Sequence, residues 1–144
     1  MRRALVAALA MPLLGQAPPA STTASYVNVV VKGVRNAKGQ VRADLCTRET
    51  FLQGDCAWSG SAPARVGAVT VRIGGVPPGT YAVVAYHDEN DNGHVDRNFL
   101  GIPTEAVGFS RDAPDRLGPP SWNDAAFVVA PGGAQIELTL RSFL

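Results

Sequence analysis

The segment "RVGAVTVRIGGVPPGTYAVVAYHD", residues Arg65–Asp88, decides the fold class of this chain. It contains two short runs rich in β-branched residues, Arg65–Val76 and Thr80–Asp88, on either side of the tight-turn sequence Pro77–Gly79. Runs of this length between Gly and Pro turns are typical of β-strands. The apolar centre of the second run, Val83–Ala85, predicts a strand that is buried on both faces.

Two β-hairpins are predicted elsewhere in the chain, each from a pair of such runs. The first pair is Tyr26–Arg35 and Gln40–Cys46, joined by the turn sequence "NAKGQ". The second pair is Asp124–Ala130 and Ala134–Ser142, joined by "PGG" at Pro131–Gly133. Alternating apolar residues in these runs predict one buried face for each strand.

The remaining segments are predicted to be loops. Thr47–Ala64 is expected to be a loop with one helical turn around Glu49–Leu52. Arg97–Asn123 is rich in Gly and Pro and is expected to be a long loop with one short strand near Ala106–Phe109. We expect this loop to be ordered, because five apolar residues can anchor it: Phe99, Leu100, Ile102, Phe109 and Trp122.

The pattern as a whole predicts an all-β domain. Six or seven short strands in roughly 115 residues, with no convincing helix, favour a Greek-key β-sandwich. A small closed barrel is the alternative architecture.

The N-terminus, residues 1–24, is predicted to be a secretory signal peptide. A basic start, "MRR", precedes the twelve-residue apolar run Ala4–Gly15, which is too short to span a bilayer. The cleavage site stays open among Ala17, Ala20 and Ala24, and a retained N-terminal anchor is the alternative. Residues 25–144 then form one exported domain, periplasmic or secreted, without a transmembrane span.

The two cysteines, Cys46 and Cys56, are predicted to form a structural disulfide, as an even pair does in exported proteins. Closing so short a loop contributes about 3 kcal/mol to stability on the chain-entropy model. Free thiols and a redox pair are the alternatives, although nine intervening residues do not match the usual C-x-x-C spacing of redox pairs.

Charge excludes one class of partner and favours one class of ligand. The formal net charge is +1 and the basic residues are scattered, which argues against nucleic acid binding. The segment between Asp88 and Asp124, in contrast, carries eight acidic residues and only three arginines. An acidic segment in a nearly neutral protein suits a hard cation.

The cluster "DENDNGHVD" matches the start of a calcium loop, D-x-[DN]-x-[DN]-G. The expected Ca²⁺ ligands are the side chains of Asp88, Asn90, Asn92 and Asp96 and the carbonyl of His94. Phe99 stands where a helical calcium loop has its bidentate Glu, so Asn98, Glu105 or Asp124 would have to supply a further ligand. The alternative is a metal-free polar turn, because Asp, Asn and Gly also build turns through bonds between side chain and backbone.

Other chemistry has weaker signals, and no catalytic residue is predicted. His87 lies at a strand end and is expected to brace the loop through a hydrogen bond. Trp122 and Trp58 could stack on sugar rings, which makes a carbohydrate-binding module the first alternative function. A small hydrolase that uses carboxylates of the acidic segment is the second alternative.

Several motifs resemble those of bacterial exported proteins of domain-of-unknown-function family 2141. They occur in "PPGTYAVVAYHDENDNGHVDRNFLGIPTEAVGFS" and in "GPPSWNDAAFVV". The motifs are G-x-Y-A at Gly79–Ala82, H-D-x-N-x-N-G-x-x-D-x-N at His87–Asn98, L-G-I-P-x-E at Leu100–Glu105, G-F-S at Gly108–Ser110 and G-P-P-S at Gly118–Ser121. The resemblance covers roughly Tyr26 to Arg141. It implies export and a transthyretin-like or prealbumin-like sandwich, and it implies no activity.

Taken together, these features predict a small exported, non-enzymatic β-sandwich protein with a structural Ca²⁺ loop. We expect a monomer that binds an extracellular or envelope ligand, whose identity the sequence does not give, or that contributes to envelope structure.

Overall fold

The computed structural model describes residues 7–17, 25–115 and 117–144. This part of the chain forms eight strands, one 3-10 turn and one short helix. The elements are β1 Ser25–Val34, β2 Gln40–Cys46, β3 Trp58–Pro63, β4 Gly67–Val76, β5 Gly79–Asp88, β6 Val107–Phe109, the 3-10 turn Ser110–Asp112, α1 Trp122–Ala125, β7 Phe127–Val129 and β8 Ala134–Thr139.

The strands form two sheets. The first has the order β4-β1-β8, in which β1 is antiparallel to β4 and parallel to β8. The second has the order β3-β2-β5-β6, and β7 also pairs with β5; every pair in it is antiparallel. The predicted all-β sandwich is confirmed, with eight strands in the described residues where six or seven were expected.

The main core lies between the sheets and follows the period-two alternation of the strands. Val27, Val29 and Val31 of β1 face Leu45 and Val83 of the second sheet within one buried cluster. A second, smaller cluster contains the opposite face of β5. Because β5 contributes to both clusters, the prediction that its centre is buried on both faces is confirmed.

Both predicted hairpins are wrong. β1 and β2 belong to different sheets, so the segment between them crosses from one sheet to the other. β7 pairs with Gly79–Tyr81 of β5 whereas β8 pairs with β1, and a single bridge, Ala130 to Gly133, joins the segments. The alternation of residues predicts which face of a strand is buried, but a tight turn fits a crossing between sheets as well as a hairpin.

The loop predicted at Thr47–Ala64 contains a strand that the sequence did not reveal. β3 has the sequence "WSGSAP", which is poor in β-branched residues, but it pairs with β2 in a continuous register from Leu45–Trp58 to Gln40–Pro63. Gly60 allows this edge strand to approach β4, because a Cβ there would lie 2.6 Å from the carbonyl oxygen of Arg72. The predicted disulfide between Cys46 and Cys56 ties the residues just before β3 to the end of β2.

The long segment Arg97–Asn123 is anchored by fewer residues than predicted. The expected short strand is present as β6, Phe109 is buried, and Ile102 and Trp122 are half-buried. Phe99 and Leu100, however, are 95% and 67% exposed, so their predicted anchoring role is wrong. They lie at a turn whose backbone directs both side chains into solvent.

Much of the predicted signal segment, residues 1–24, lies outside the described residues, including the cleavage candidates Ala20 and Ala24. Its described part, residues 7–17, forms neither helix nor strand and exposes Leu9, Met11, Leu13 and Leu14. Within the described ranges, no helix is both long enough and apolar enough to cross a membrane.

Candidate functional site

The Asp/Asn loop, residues 88–105, begins where β5 ends and leads into β6. It contains the predicted Ca²⁺ ligands and an exposed tip. Its first residue, Asp88, is fully buried although it is a carboxylate. A buried charge is stable only when it is paired and hydrogen-bonded, so the partners of Asp88 indicate what holds the loop.

Asp88 is held by one guanidinium and two backbone amides. Arg42 Nε donates to Asp88 Oδ2 over 2.6 Å, and the N–H groups of Asn92 and Gly93 donate over 3.0 and 2.9 Å. Burial by itself would raise the pKa of Asp88, but the hydrogen bonds from Arg42, Gly93 and Asn92 outweigh it, and the pKa lies below its usual value. Arg42 also donates to Asp91 Oδ1 over 2.6 Å, and thus links two acidic residues of the loop to β2.

A second buried carboxylate, that of Glu105, joins the two ends of the loop. Its Oε1 accepts the N–H of Glu89 and its Oε2 accepts the N–H of Asp96, both over 3.1 Å. Burial raises the pKa of Glu105, and the two amide donors oppose that shift without cancelling it. Glu105 therefore acts as a brace across the loop in this structure.

The side chains of three other predicted site residues lie close to Asp96, although the ligand predicted from His94 was its carbonyl oxygen and not its ring. Asn90 Nδ2 lies 2.6 Å from Asp96 Oδ2, Asn92 Nδ2 lies 2.7 Å from Asp96 Oδ1, and His94 Nε2 lies 3.5 Å from that same Oδ1. A 180° rotation of either amide would exchange its nitrogen for its oxygen, so these side chains can present oxygens to one point. Asp88, in contrast, directs its oxygens to Arg42 and the backbone.

The additional ligands that the sequence suggested are used differently. Asn98 caps the tip of the loop, and Asp124 lies in α1, where its Oδ2 accepts the hydroxyl of Ser121. Glu105 binds the backbone amides of Glu89 and Asp96. In the described part of the chain, no group of three or more His, Cys, Asp and Glu side chains is placed to hold a metal ion.

The base of the loop is fixed to the rest of the sandwich. His87 Nε2 donates to the carbonyl oxygen of Lys38 over 2.7 Å, which confirms its predicted bracing role. The hydroxyl of Tyr86 donates to the carbonyl oxygen of Gly93 over 2.9 Å, and burial raises the pKa of this tyrosine to about 12. Gly39 has a φ of +62°, and a Cβ there would lie 2.0 Å from the carbonyl oxygen of Asp88.

Arg42 and Tyr86 are the two site residues that the sequence reasoning missed. They lie directly opposite each other in the pairing of β2 with β5. One signal was available: Arg42 follows Val41 in an alternating strand, so it had to point away from the main core. Only the pairing of the two strands places it beside the acidic loop.

The tip of the Asp/Asn loop is a small hairpin between Arg97 and Pro103, which form a β-bridge. Asn98 Oδ1 accepts the N–H groups of Leu100 and Ile102, each over 3.0 Å. Gly101, at a φ of +76°, donates its N–H to the carbonyl oxygen of Asn98 over 2.9 Å. The tip is therefore a hydrogen-bonded turn, and the exposure of Phe99 follows from its backbone.

The two tryptophans do not form an exposed pair on one face. Trp58 is half-buried against the main core and meets Tyr81 edge to face at 5.4 Å between ring centroids. Trp122 is half-buried against the second cluster and meets Phe51 at 5.9 Å. Trp122 also lines a shallow depression of about 510 Å³.

Comparison with protein families gives a match over most of the chain. The family model described as "Uncharacterized protein conserved in bacteria (DUF2141)" matches residues 29–137, which include the whole Asp/Asn loop. No curated protein and no solved structure matches the chain. The likeness to transthyretin stays a prediction.

Proposed function

Because the chain belongs to the bacterial family DUF2141, whose description names no activity, we propose its function from the geometry of the Asp/Asn loop. We propose a small exported protein that acts by binding or in envelope structure and performs no catalysis. In this proposal the loop is a rigid platform that carries an exposed tip.

The observation that carries this proposal is the engagement of the acidic side chains in the loop. Asp88 and Asp91 pair with Arg42, and Glu105 holds two backbone amides. Asp96 accepts from two asparagines. A general acid or base must be free to exchange a proton with a substrate, whereas these carboxylates already bind Arg42, asparagine side chains or backbone amides.

Export is supported by two features of the sequence and structure. The N-terminus combines a basic start with an apolar run of signal-peptide length. The Cys46–Cys56 bridge is typical of proteins that fold in an oxidising compartment.

Fractionation of the native bacterium tests the export part of the proposal. We expect the epitope-tagged chain in the periplasm or the medium, shortened at its N-terminus, with Cys46 and Cys56 protected from alkylation. Replacing Leu9 and Leu13 by Arg should retain the chain in the cytoplasm, because charges interrupt the apolar run. Full-length wild-type chain in the cytoplasmic fraction, with two reactive thiols, would contradict the proposal.

We propose Ca²⁺ binding at the Asp/Asn loop as a second role of the same site. It is supported by the convergence of the Asn90, Asn92 and Asp96 side chains. After rotation of the two amides, their oxygens and the Asp96 carboxylate would be hard ligands of the type that Ca²⁺ prefers. A bound ion that also used Asp88 would have to displace Arg42, so binding should be weak. A Kd of about 10⁻⁴–10⁻³ M is common for extracellular modules.

Thermal unfolding in EDTA and in Ca²⁺ tests this second role. At about 10 mM Ca²⁺, a Kd in that range corresponds to roughly 1.4–2.7 kcal/mol of stabilisation and a rise in Tm of several degrees. Mg²⁺ should give a smaller rise, and Asp96→Asn should abolish the Ca²⁺ effect. An identical Tm in EDTA and Ca²⁺ would leave the loop as a metal-free brace.

A further inference from the structure

The exposed tip of the Asp/Asn loop combines two apolar side chains with one basic side chain. Phe99 and Leu100 are 95% and 67% exposed and lie next to each other at the turn. Arg97 is the only charged residue between positions 97 and 103, and it is exposed. In the described residues, no carboxylate lies within salt-bridge distance of Arg97.

The tip is held in shape before it meets any partner. Arg97 Nη1 donates to the carbonyl oxygen of Gly101 over 3.0 Å, and Asn98 fixes the backbone of the turn on its inner side. Thr104 donates both its N–H and its hydroxyl to the carbonyl oxygen of Asp96. Because the backbone is already ordered, little conformational entropy would be lost when the apolar side chains are buried.

The shape and size of the tip decide between two classes of partner. Two exposed side chains offer on the order of 300 Å² of apolar surface. A specific protein interface needs about 800 Å² on each partner, with a well-packed centre. A protruding turn of this size suits insertion into a fluid interface, where the surrounding molecules adapt to its shape.

The turn itself carries one basic group and no carboxylate, because the acidic residues of the loop lie outside residues 97–103. Of the nearby carboxylates, Asp91 pairs with the cationic Arg42, whereas Asp96 accepts from two uncharged asparagines and keeps its negative charge. Arg97 keeps nitrogen atoms that do not bond to Gly101 and that can donate to a phosphate group. Amphipathic helices that lie in the headgroup region of membranes combine basic residues with Phe and Leu in the same way.

We propose that the Phe99–Leu100 tip inserts into the headgroup region of a lipid bilayer that contains anionic lipids, with Arg97 at the phosphate level. The choice of membrane rests on the proposed function, because an exported protein meets the bilayers of the envelope. The interaction of tip and lipid itself does not require export and is measurable with purified protein. Binding through two side chains is weak and reversible.

Co-sedimentation with lipid vesicles tests the proposal. The vesicles contain phosphatidylcholine alone or phosphatidylcholine with phosphatidylglycerol, and all variants share one N-terminus, verified by intact mass. We expect wild-type protein to bind the anionic vesicles and Phe99→Ser with Leu100→Ser to lower the partition coefficient about tenfold or more. Val128→Ser, which removes an exposed apolar side chain from β7, should leave binding unchanged.

Arg97→Gln separates the electrostatic part of the binding from the apolar part. It should weaken binding to the anionic vesicles about fivefold, the equivalent of about 1 kcal/mol per basic residue. Binding to phosphatidylcholine alone should not change. All variants should retain the wild-type Tm, because neither apolar side chain of the tip is buried.

Three results would overturn the proposal. The first is wild-type protein that does not bind either type of vesicle. The second is equal binding of wild type and the Phe99→Ser, Leu100→Ser variant, which would assign binding to the shared N-terminus. The third is a change of oligomeric state in that variant on size-exclusion chromatography, which would assign the tip to a second copy of the chain. The vesicle experiment tests the contact between tip and lipid independently of export. A fractionation result that contradicted export would therefore not change how the vesicle result is interpreted.

Discussion

Arg42 contacts two carboxylates that differ in their exposure. The side chain of Asp88 is completely buried, whereas that of Asp91 is 54% exposed, and both accept hydrogen bonds of 2.6 Å from the same guanidinium. A buried charge that loses its partner cannot be solvated, whereas an exposed pair competes with water at all times. The two pairs should therefore contribute very different free energies to folding.

We expect Asp88→Asn to lower the free energy of unfolding by about 2–4 kcal/mol. Asparagine cannot accept from Arg42 and both amides, although the partly exposed Arg42 can recover some hydration. Asp91→Asn is the matched control and should cost at most about 1 kcal/mol. Urea unfolding at neutral pH measures the free energy of unfolding of both variants. Equal losses of stability would show that burial does not distinguish the two ion pairs.

The loss of stability in Asp88→Asn should depend on pH in a defined way. The pKa of Asp88 in the folded protein lies below its ordinary value of 3.8. Its contribution is therefore present above pH 3.8 and is lost as the pH falls through the folded pKa. The difference in the free energy of unfolding between wild type and Asp88→Asn should stay constant from pH 7 to about pH 5. It should become smaller below about pH 4. A difference that grows in acid would contradict this assignment.

Ser110 connects three elements through one hydroxyl. It lies directly after β6 and is fully buried. Its Oγ accepts the N–H of Val83 in β5 over 2.9 Å and donates to the carbonyl oxygen of Ala125 in α1 over 2.5 Å. The hydroxyl thus satisfies one backbone carbonyl of α1 and one backbone N–H of β5, at the position between the residues that pair with β6 and those that pair with β7.

Ser110→Ala should destabilise the protein by about 1–3 kcal/mol for each backbone group that loses its partner. Ser59→Ala, at an exposed position of β3, is the control and should have little effect. Hydrogen exchange should show faster exchange of the Val83 amide in the variant. Unchanged protection at Val83 would indicate that another group, such as a water molecule, replaces the hydroxyl.

At the scale of the whole molecule, the two sheets approach each other at both edges. On one side β3 lies against β4 at Gly60. On the other side β6 lies against the end of β8, where Val107 and Arg141 exchange two backbone hydrogen bonds of 3.0 and 2.9 Å. Gly108 makes this approach possible, because a Cβ there would lie 2.7 Å from the carbonyl oxygen of Thr139.

Gly108→Ala should therefore separate the two sheets at this edge and lower stability by about 1–3 kcal/mol, the usual cost of overpacking. Gly74→Ala is the matched control in β4, where an added Cβ meets only the flexible ring of Tyr26 at 3.1 Å. That variant should be neutral or slightly more stable. Equal stability of the two variants in thermal unfolding would contradict a close edge at Gly108.

Much of the fold could be read from the sequence, because alternation and turn residues act locally. The bounds predicted for β1, β2, β4 and β5 lie within a few residues of the observed bounds. The disulfide was also predicted correctly. The strand partners could not be read in this way. Both hairpins were predicted wrongly, and β3 was missed because its propensity is weak and only the pairing with β2 makes it a strand.

The sequence by itself determined the fold class, the family and the position of the acidic loop, since each depends on residue types at fixed spacing. Only the tertiary structure decided how that loop is held. It placed Arg42 of β2 beside Asp88, turned Glu105 back onto two amides and left Phe99 and Leu100 in solvent. These contacts join residues that are distant in the chain, or depend on which way a turn faces. Local spacing therefore carries no information about them, whereas the packing of two sheets fixes them.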